Sequence, residues 1–240
     1  MSTLETTYQL LCSKNITAEL LSPDCLLVLG DCLDVLPHVK ADCVVTDPPY
    51  GMRYRSGMGG HFGNCAIHGD ESTALRDAML KTVDGLPVLC FGNWRIPRPP
   101  QTKALLTWEK GPHVGMGDLR IPWKPNTEEI YVIGKGFHGH RGTSVLRHNA
   151  VSPNFNVGKK RLHPTQKPLS LLVELLEKCP DGTVCDPFMG SGTTIEAAIR
   201  LGRKAVGVEI SPVYFALCVA RAKRALAERA AQLPFEESKP

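Results

Sequence analysis

The 240-residue chain contains no Cys-x-x-Cys pair: its nine cysteines, Cys12, Cys25, Cys32, Cys43, Cys65, Cys90, Cys179, Cys185 and Cys218, stand one at a time, several of them inside apolar runs. That spacing provides no paired ligands for zinc and no disulfide framework, so no metal is expected and the thiols read as reduced, structural and cytoplasmic. No apolar run approaches the roughly 18 residues a membrane-spanning helix needs. Residues 1–14 lack a basic flank ahead of an apolar core, so no secretory leader is expected. Acids are missing from one long stretch: residues 134–167 hold none, against seven bases, Lys135, Arg141, Arg147, Lys159, Lys160, Arg161 and Lys167. The net charge of +4 is modest, but this local excess is the polyanion-facing part of the chain.

What is present is an ordinary globular composition, 42% apolar and 22% charged. It is enough for one domain with a substantial core, expected over residues 1–231, with a frayed tail at 232–240. Short apolar runs at 26–29, 42–46, 87–91, 104–108, 128–133, 183–185 and 205–208 read as seven strands. Helical patterns at 73–82, 169–179, 195–201 and from Pro212 to about position 230 alternate with them. Ser211 and Pro212 supply the cap and first-turn proline of the last helix. The expectation is an α/β fold, an open, mostly parallel sheet with helices on both faces. The glycine-rich residues 51–64, with Arg53, Arg55 and His61, suit a lid, and residues 134–162 an irregular basic segment lying along a nucleic-acid backbone.

The second strand delivers Asp47-Pro48-Pro49-Tyr50. Each proline lacks an N–H and pushes the residue before it away from helix, so the turn is stiff, extended and rich in acceptors. A planar ring with an exocyclic amino group could donate to the Asp47 carboxylate and the Pro48 carbonyl while stacking on Tyr50. The same residues also suit a plain strand-ending turn with Tyr50 packed.

Further on, a strand ends at Asp186 and runs into Pro187-Phe188-Met189-Gly190-Ser191-Gly192-Thr193-Thr194, a small-residue loop that opens a helix; the next strand ends at Glu209. Strand, acid, glycine loop and helix build a ligand crevice at the carboxyl end of a sheet, with an acid on the following strand placed for ribose hydroxyls. A phosphate-binding P-loop needs Gly-Lys-Ser/Thr, whereas Thr193 follows Gly192. A dinucleotide fingerprint needs a third small residue where Ile195 stands. The loop therefore suits a ribose and a zwitterionic amino-acid end better than a pyrophosphate.

Asp47-Pro48-Pro49-Tyr50, His163-Pro164-Thr165-Gln166-Lys167-Pro168 and Asp186 to Thr194, in that order, closely resemble the amino-group DNA methyltransferases, the adenine-N6 and cytosine-N4 enzymes, in the circularly permuted motif order of their beta class. The resemblance covers roughly residues 27–224. It implies a Rossmann-like methyltransferase fold, S-adenosylmethionine as donor and double-stranded DNA as substrate, with the target base flipped out of the stack. It implies that Asp47, Pro48, Pro49 and Tyr50 hold the base. Asp186, Phe188, Gly190 and Gly192 would line the methionine part of the donor with Thr165 and Lys167 nearby, while Glu209 would hold the ribose and Asp31 approach the adenine. Lys135, Arg141, Arg147, Lys159, Lys160 and Arg161 would contact phosphates, residues 134–162 being a short target-recognition segment. Aspartate rather than serine at position 47 favours adenine N6. Cytosine N4 on the same scaffold, a silent DNA-binding relative and methylation of RNA or protein amides are the rival readings. Carbon-5 methylation needs a Pro-Cys thiolate, and the chain has no Pro-Cys pair. The resemblance further implies a cytoplasmic, bacterial or phage-encoded protein, and allows a homodimer and a restriction endonuclease partner.

Overall fold

In a computed structural model, which describes residues 2–52, 69–112, 114, 117–151 and 166–232, a single nine-stranded sheet organises the chain. The strands are β1 (Thr17–Ser22), β2 (Cys25–Leu29), β3 (Cys43–Thr46), β4 (Val88–Gly92), β5 (Thr102–Glu109), β6 (Thr127–Ile133), β7 (Val145–Arg147), β8 (Thr183–Asp186) and β9 (Lys204–Glu209). Their order across the sheet is β1-β2-β9-β8-β3-β4-β6-β5-β7. The five central strands β2, β9, β8, β3 and β4 are mutually parallel. Strand β6 is antiparallel to both β4 and β5, so β5 runs in the direction of the central five.

Helices α1 (Thr3–Ser13), α2 (Cys32–Val35) and α3 (Ala74–Thr82) cover one face, and α4 (Leu169–Leu176), α5 (Thr193–Arg200) and α6 (Pro212–Gln232) the other. Alternation along β2 shows why two covers are needed: Cys25 and Leu27 pack with the second set, Leu26 and Val28 with the first. In α4 the apolar residues Leu171, Leu172, Leu175 and Leu176 recur at helical spacing and are all buried.

All seven expected strands are present, and two more flank them. Strand β1 pairs antiparallel with β2 at one border, and β7 pairs parallel with β5 at the other. The basic segment 134–162 is therefore not irregular throughout, since β7 lies inside it. Helix α1 was also unforeseen, and α6 continues through Gln232, one residue into the expected tail. Among the described residues no helix is long and apolar enough to cross a membrane, and eight cysteines are free thiols.

Candidate active site

Because the five central strands are parallel, their carboxyl ends share one edge. Asp31 follows β2, Glu209 ends β9, Asp186 ends β8 and Asp47 follows β3. Strands β8 and β3 are neighbours, and the Thr46 hydroxyl donates to Asp186 Oδ1 at 2.8 Å. The proline corner and the glycine loop thus leave adjacent strands in the same direction.

At the proline corner Lys167 Nζ donates to Asp47 Oδ2 at 2.6 Å and to Glu128 Oε1 at 2.9 Å. The Tyr50 hydroxyl lies between the same two carboxylates, bonded to Asp47 Oδ1 and 2.6 Å from Glu128 Oε1. Lys110 approaches the outer oxygen, Glu128 Oε2, at 3.1 Å. The Lys167 ammonium rests 4.8 Å above the Phe91 ring. Lys167 and Glu128 are each 8% exposed at the side chain and Asp47 22%. Burial raises the Asp47 carboxyl above its usual range, and Glu128 adds to this while Lys167 pulls it back. Burial also opposes ionisation of Glu128, but Lys167 and Lys110 outweigh it and hold that carboxyl low. Two acids and two cations nearly balance; a lone buried charge here would be costly.

The glycine corner is tied to β9. Glu209 Oε2 accepts from the Gly190 amide at 2.9 Å and Oε1 from the Ser211 amide at 2.8 Å. Gly190 and Gly192 have φ of 51° and 79°, and a Cβ on Gly192 would collide with Cys218 of α6. From below, Arg221 of α6 donates to Thr193 Oγ1 at 2.6 Å and to Ser191 Oγ at 3.3 Å, and its Nε lies 3.3 Å from Glu196. Asp186 is 3% exposed, and burial pushes its carboxyl up to about 6 despite bonds from Thr46 and the Phe188 amide.

A crevice beside this loop is lined by Gly30, Asp31, Phe188, Val208, Glu209 and Ile210 among others. Asp31 also caps α2, its Oδ1 accepting from the Leu33 amide at 2.8 Å. The lining is of a kind that takes a nucleoside: the Phe188 ring and Ile210 offer apolar surface, and the Asp31 and Glu209 carboxylates are acceptors for hydroxyl donors. Those residues would hold the adenosine part of S-adenosylmethionine. Among the described residues, no group of three His, Cys, Asp or Glu could hold a metal.

The structure therefore brings Asp31, Phe188, Glu209, Gly190, Gly192 and Asp186 to one edge with Asp47, Pro48, Pro49 and Tyr50. Lys167, expected among the donor-binding residues, instead has its ammonium in the proline corner. Lys135 and Arg141 are exposed but follow the far end of β6, which runs antiparallel to β4, so they leave from the opposite edge of the sheet. Arg147, at the end of β7, lies on the site's edge at the outer border and pairs with Glu109 at 3.0 Å. Thr165, Lys159, Lys160, Arg161, His61 and most of the 51–64 segment fall outside the described residues.

Sequence reasoning missed Glu128, Lys110 and Arg221. Glu128 had a signal: in 127–133 it shares a face with Ile130 and Val132, so period-two alternation turns it inward. Also missed were the exposed rings Trp94 and Trp123, 69% and 76% accessible, with Leu119 and Ile121, on loops that follow β4 and β5 at the site's edge. Arg95, stacked on Trp94, and Arg98, Arg120 and Lys124 interleave with them.

An open α/β sheet with an acid-and-glycine crevice beside a carboxylate corner is a Rossmann-like fold with its ligand site at the carboxyl ends of the strands. A family model described as DNA methylase, covering N6 and N4 enzymes, matches residues 101–220, half of the chain. The Escherichia coli K12 protein YubD, named as a methylase, is 28% identical over 207 residues, covering 78% of this chain and 85% of that protein. The type II methyltransferase M.ScaI of Streptomyces caespitosus is 38% identical over 77 residues, 29% of this chain and a quarter of that enzyme. Solved structures share the fold. The M1.HpyAVI–SAM complex has a TM-score of 0.58 at 22% identity, over 81% of this chain and 97% of that one. The cytosine-N4-specific PvuII DNA methyltransferase has 0.63 at 16%, over 85% and 90%. The chain belongs to the N6/N4 DNA methylase family, the S-adenosylmethionine-dependent enzymes that methylate amino groups of DNA bases.

Proposed function

We propose that the protein methylates the N6 amino group of adenine in double-stranded DNA, with the base flipped into the corner formed by Asp47, Pro48, Pro49 and Tyr50. The observation that carries this reading is the adjacency of that corner to the glycine loop, on neighbouring parallel strands joined by the Thr46–Asp186 bond. An aromatic amine is a weak nucleophile because its lone pair is delocalised into the ring. Asp47 Oδ1 and the Pro48 carbonyl, taking its two hydrogens, favour a more tetrahedral nitrogen whose lone pair is free to attack. S-adenosylmethionine, when bound, would supply a sulfonium methyl for the nitrogen lone pair, sulfur keeping the S–C pair, and Asp47 would receive the amine proton. The corner and the crevice supply orientation and fixed charges, which carry much of the acceleration in reactions without a covalent enzyme intermediate.

DNA contact is supported by the aromatic and basic loops of 93–98 and 117–125, on the same edge as Asp47, together with Arg147; unstacked bases and phosphates are what such a rim accommodates. This role fits a bacterial or phage protein acting in the cytoplasm, and is compatible with a homodimer and with a restriction endonuclease partner. The test is nucleoside analysis of PCR-amplified DNA after incubation with protein and donor. N6-methyladenine is expected; N4-methylcytosine, or label in RNA or protein alone, overturns the reading.

A further inference from the structure

The Tyr50 hydroxyl carries one proton and has two carboxylates within reach, Asp47 Oδ1 and Glu128 Oε1, the second at 2.6 Å. It can donate to only one of them at a time. When it donates to Asp47, each Asp47 oxygen already carries one donor, Lys167 being on Oδ2 at 2.6 Å, and the amine has to share an oxygen unless one donor leaves. Lys167, with three protons, donates to both acids together and has no need to move. An incoming amino group needs one Asp47 oxygen, and Oδ1 is the one whose present donor has somewhere else to go.

We propose that Glu128 is a positioning residue that takes the Tyr50 hydroxyl off Asp47 when the target amino group arrives, leaving Oδ1 to accept the amine's hydrogen and later its proton. No bond is made or broken in the switch itself; one hydroxyl rotates from one acceptor to the other. Glu128 suits the task because it is built in: β6 fixes its backbone, Lys110 and Lys167 keep it ionised, and Lys167 meets Asp47 on Oδ2 while approaching the Tyr50 hydroxyl only at 3.5 Å. The inference rests on the assignment of Asp47 as acceptor for the amine.

The test is a double-mutant cycle in turnover on amplified DNA, with donor affinity followed by calorimetry. Glu128→Gln keeps the shape and removes the charge, so the hydroxyl exchanges a charge-assisted bond for a neutral one. The expected loss is about 10- to 100-fold in kcat, with donor Kd within about two-fold. In a Tyr50→Phe background there is no hydroxyl to move, and the same Glu128→Gln change is expected to cost less than about three-fold. An equal cost in both backgrounds overturns the proposal, because a purely structural glutamate would act alike in each. Should E128Q not fold, tyrosine-Cζ-labelled wild-type protein answers instead: the Tyr50 resonance, assigned by its loss in Y50F, is expected to shift on adding DNA without donor, and a resonance that stays put overturns the switch. If wild-type protein modifies no DNA base, it is the Asp47 assignment that fails; if it methylates adenine and the cycle is additive, only the switch fails.

Discussion

Replacing Lys167 with methionine keeps the length of the side chain and takes away the ammonium that serves two buried carboxylates. Removing one partner of a buried ion pair costs about 3–5 kcal/mol, because the remaining charge is left without compensation. Glu128 keeps Lys110 at 3.1 Å, so the orphaned group is Asp47, whose other neighbours are a phenol and the Glu128 charge. The expected loss at pH 8 therefore lies at the low end, about 3 kcal/mol. Burial already lifts the Asp47 carboxyl, and without Lys167 its folded-state pKa rises further above the unfolded value near 3.9. A carboxyl with a raised folded pKa binds more protons in the native state, so stability falls as pH rises through that interval and recovers as pH falls. The deficit of Lys167→Met is thus largest at pH 8 and shrinks towards pH 5. Urea denaturation of both proteins at the two pH values measures it. A deficit below about 1 kcal/mol, or one that does not change with pH, would refute the reasoning from a buried pair.

Three further outcomes are expected. Asp186, pushed to about 6 by burial, carries a penalty of about 3 kcal/mol that is absent below pH 4 and complete above pH 6. Asp186→Asn, which retains an acceptor for Thr46 and for the Phe188 amide, should gain stability relative to wild type as pH rises through that window; parallel pH–stability curves would contradict this. Arg221→Met leaves Glu196 with Arg200 alone, at 2.9 Å, and the glycine loop without its support, so a loss at the low end for a buried pair, about 3 kcal/mol by thermal or chemical denaturation, is expected, together with weaker donor binding. Trp94→Ala and Trp123→Ala should each weaken DNA binding by about 1 kcal/mol or more in a fluorescence-anisotropy titration while leaving donor affinity unchanged; undiminished DNA affinity would remove those loops from the interface.

The central strands and the two corners were legible because the signals that mark them are local. Apolar runs ending in Asp47, Asp186 and Glu209 identify buried strands, and proline or glycine after them identifies turns. Helix α1 carried a cap signal, Ser2 with Glu5 three residues on, and the Ser2 hydroxyl does accept from the Glu5 amide at 3.1 Å, but its short stripe of Leu4, Thr7 and Leu11 is diluted by threonines. Strand β7 could not be read, because three residues inside a basic segment become a strand only through pairing with β5. The destination of Lys167 was hidden for a related reason. Its motif neighbours point to the donor, whereas its partner Glu128 lies 39 positions away and is brought in by the antiparallel placement of β6 beside β4. Arg221 likewise reads as one base among several on an amphipathic helix until α6 is laid beneath the glycine loop.

The central claim is that the proline corner serves the base and the glycine loop serves the donor. Calorimetry of S-adenosylmethionine binding to Asp47→Ala, run beside methyl transfer to amplified DNA, tests it most directly. The account predicts donor affinity within a few-fold of wild type and no detectable transfer; lost donor binding, or transfer that persists without the carboxylate, would contradict it.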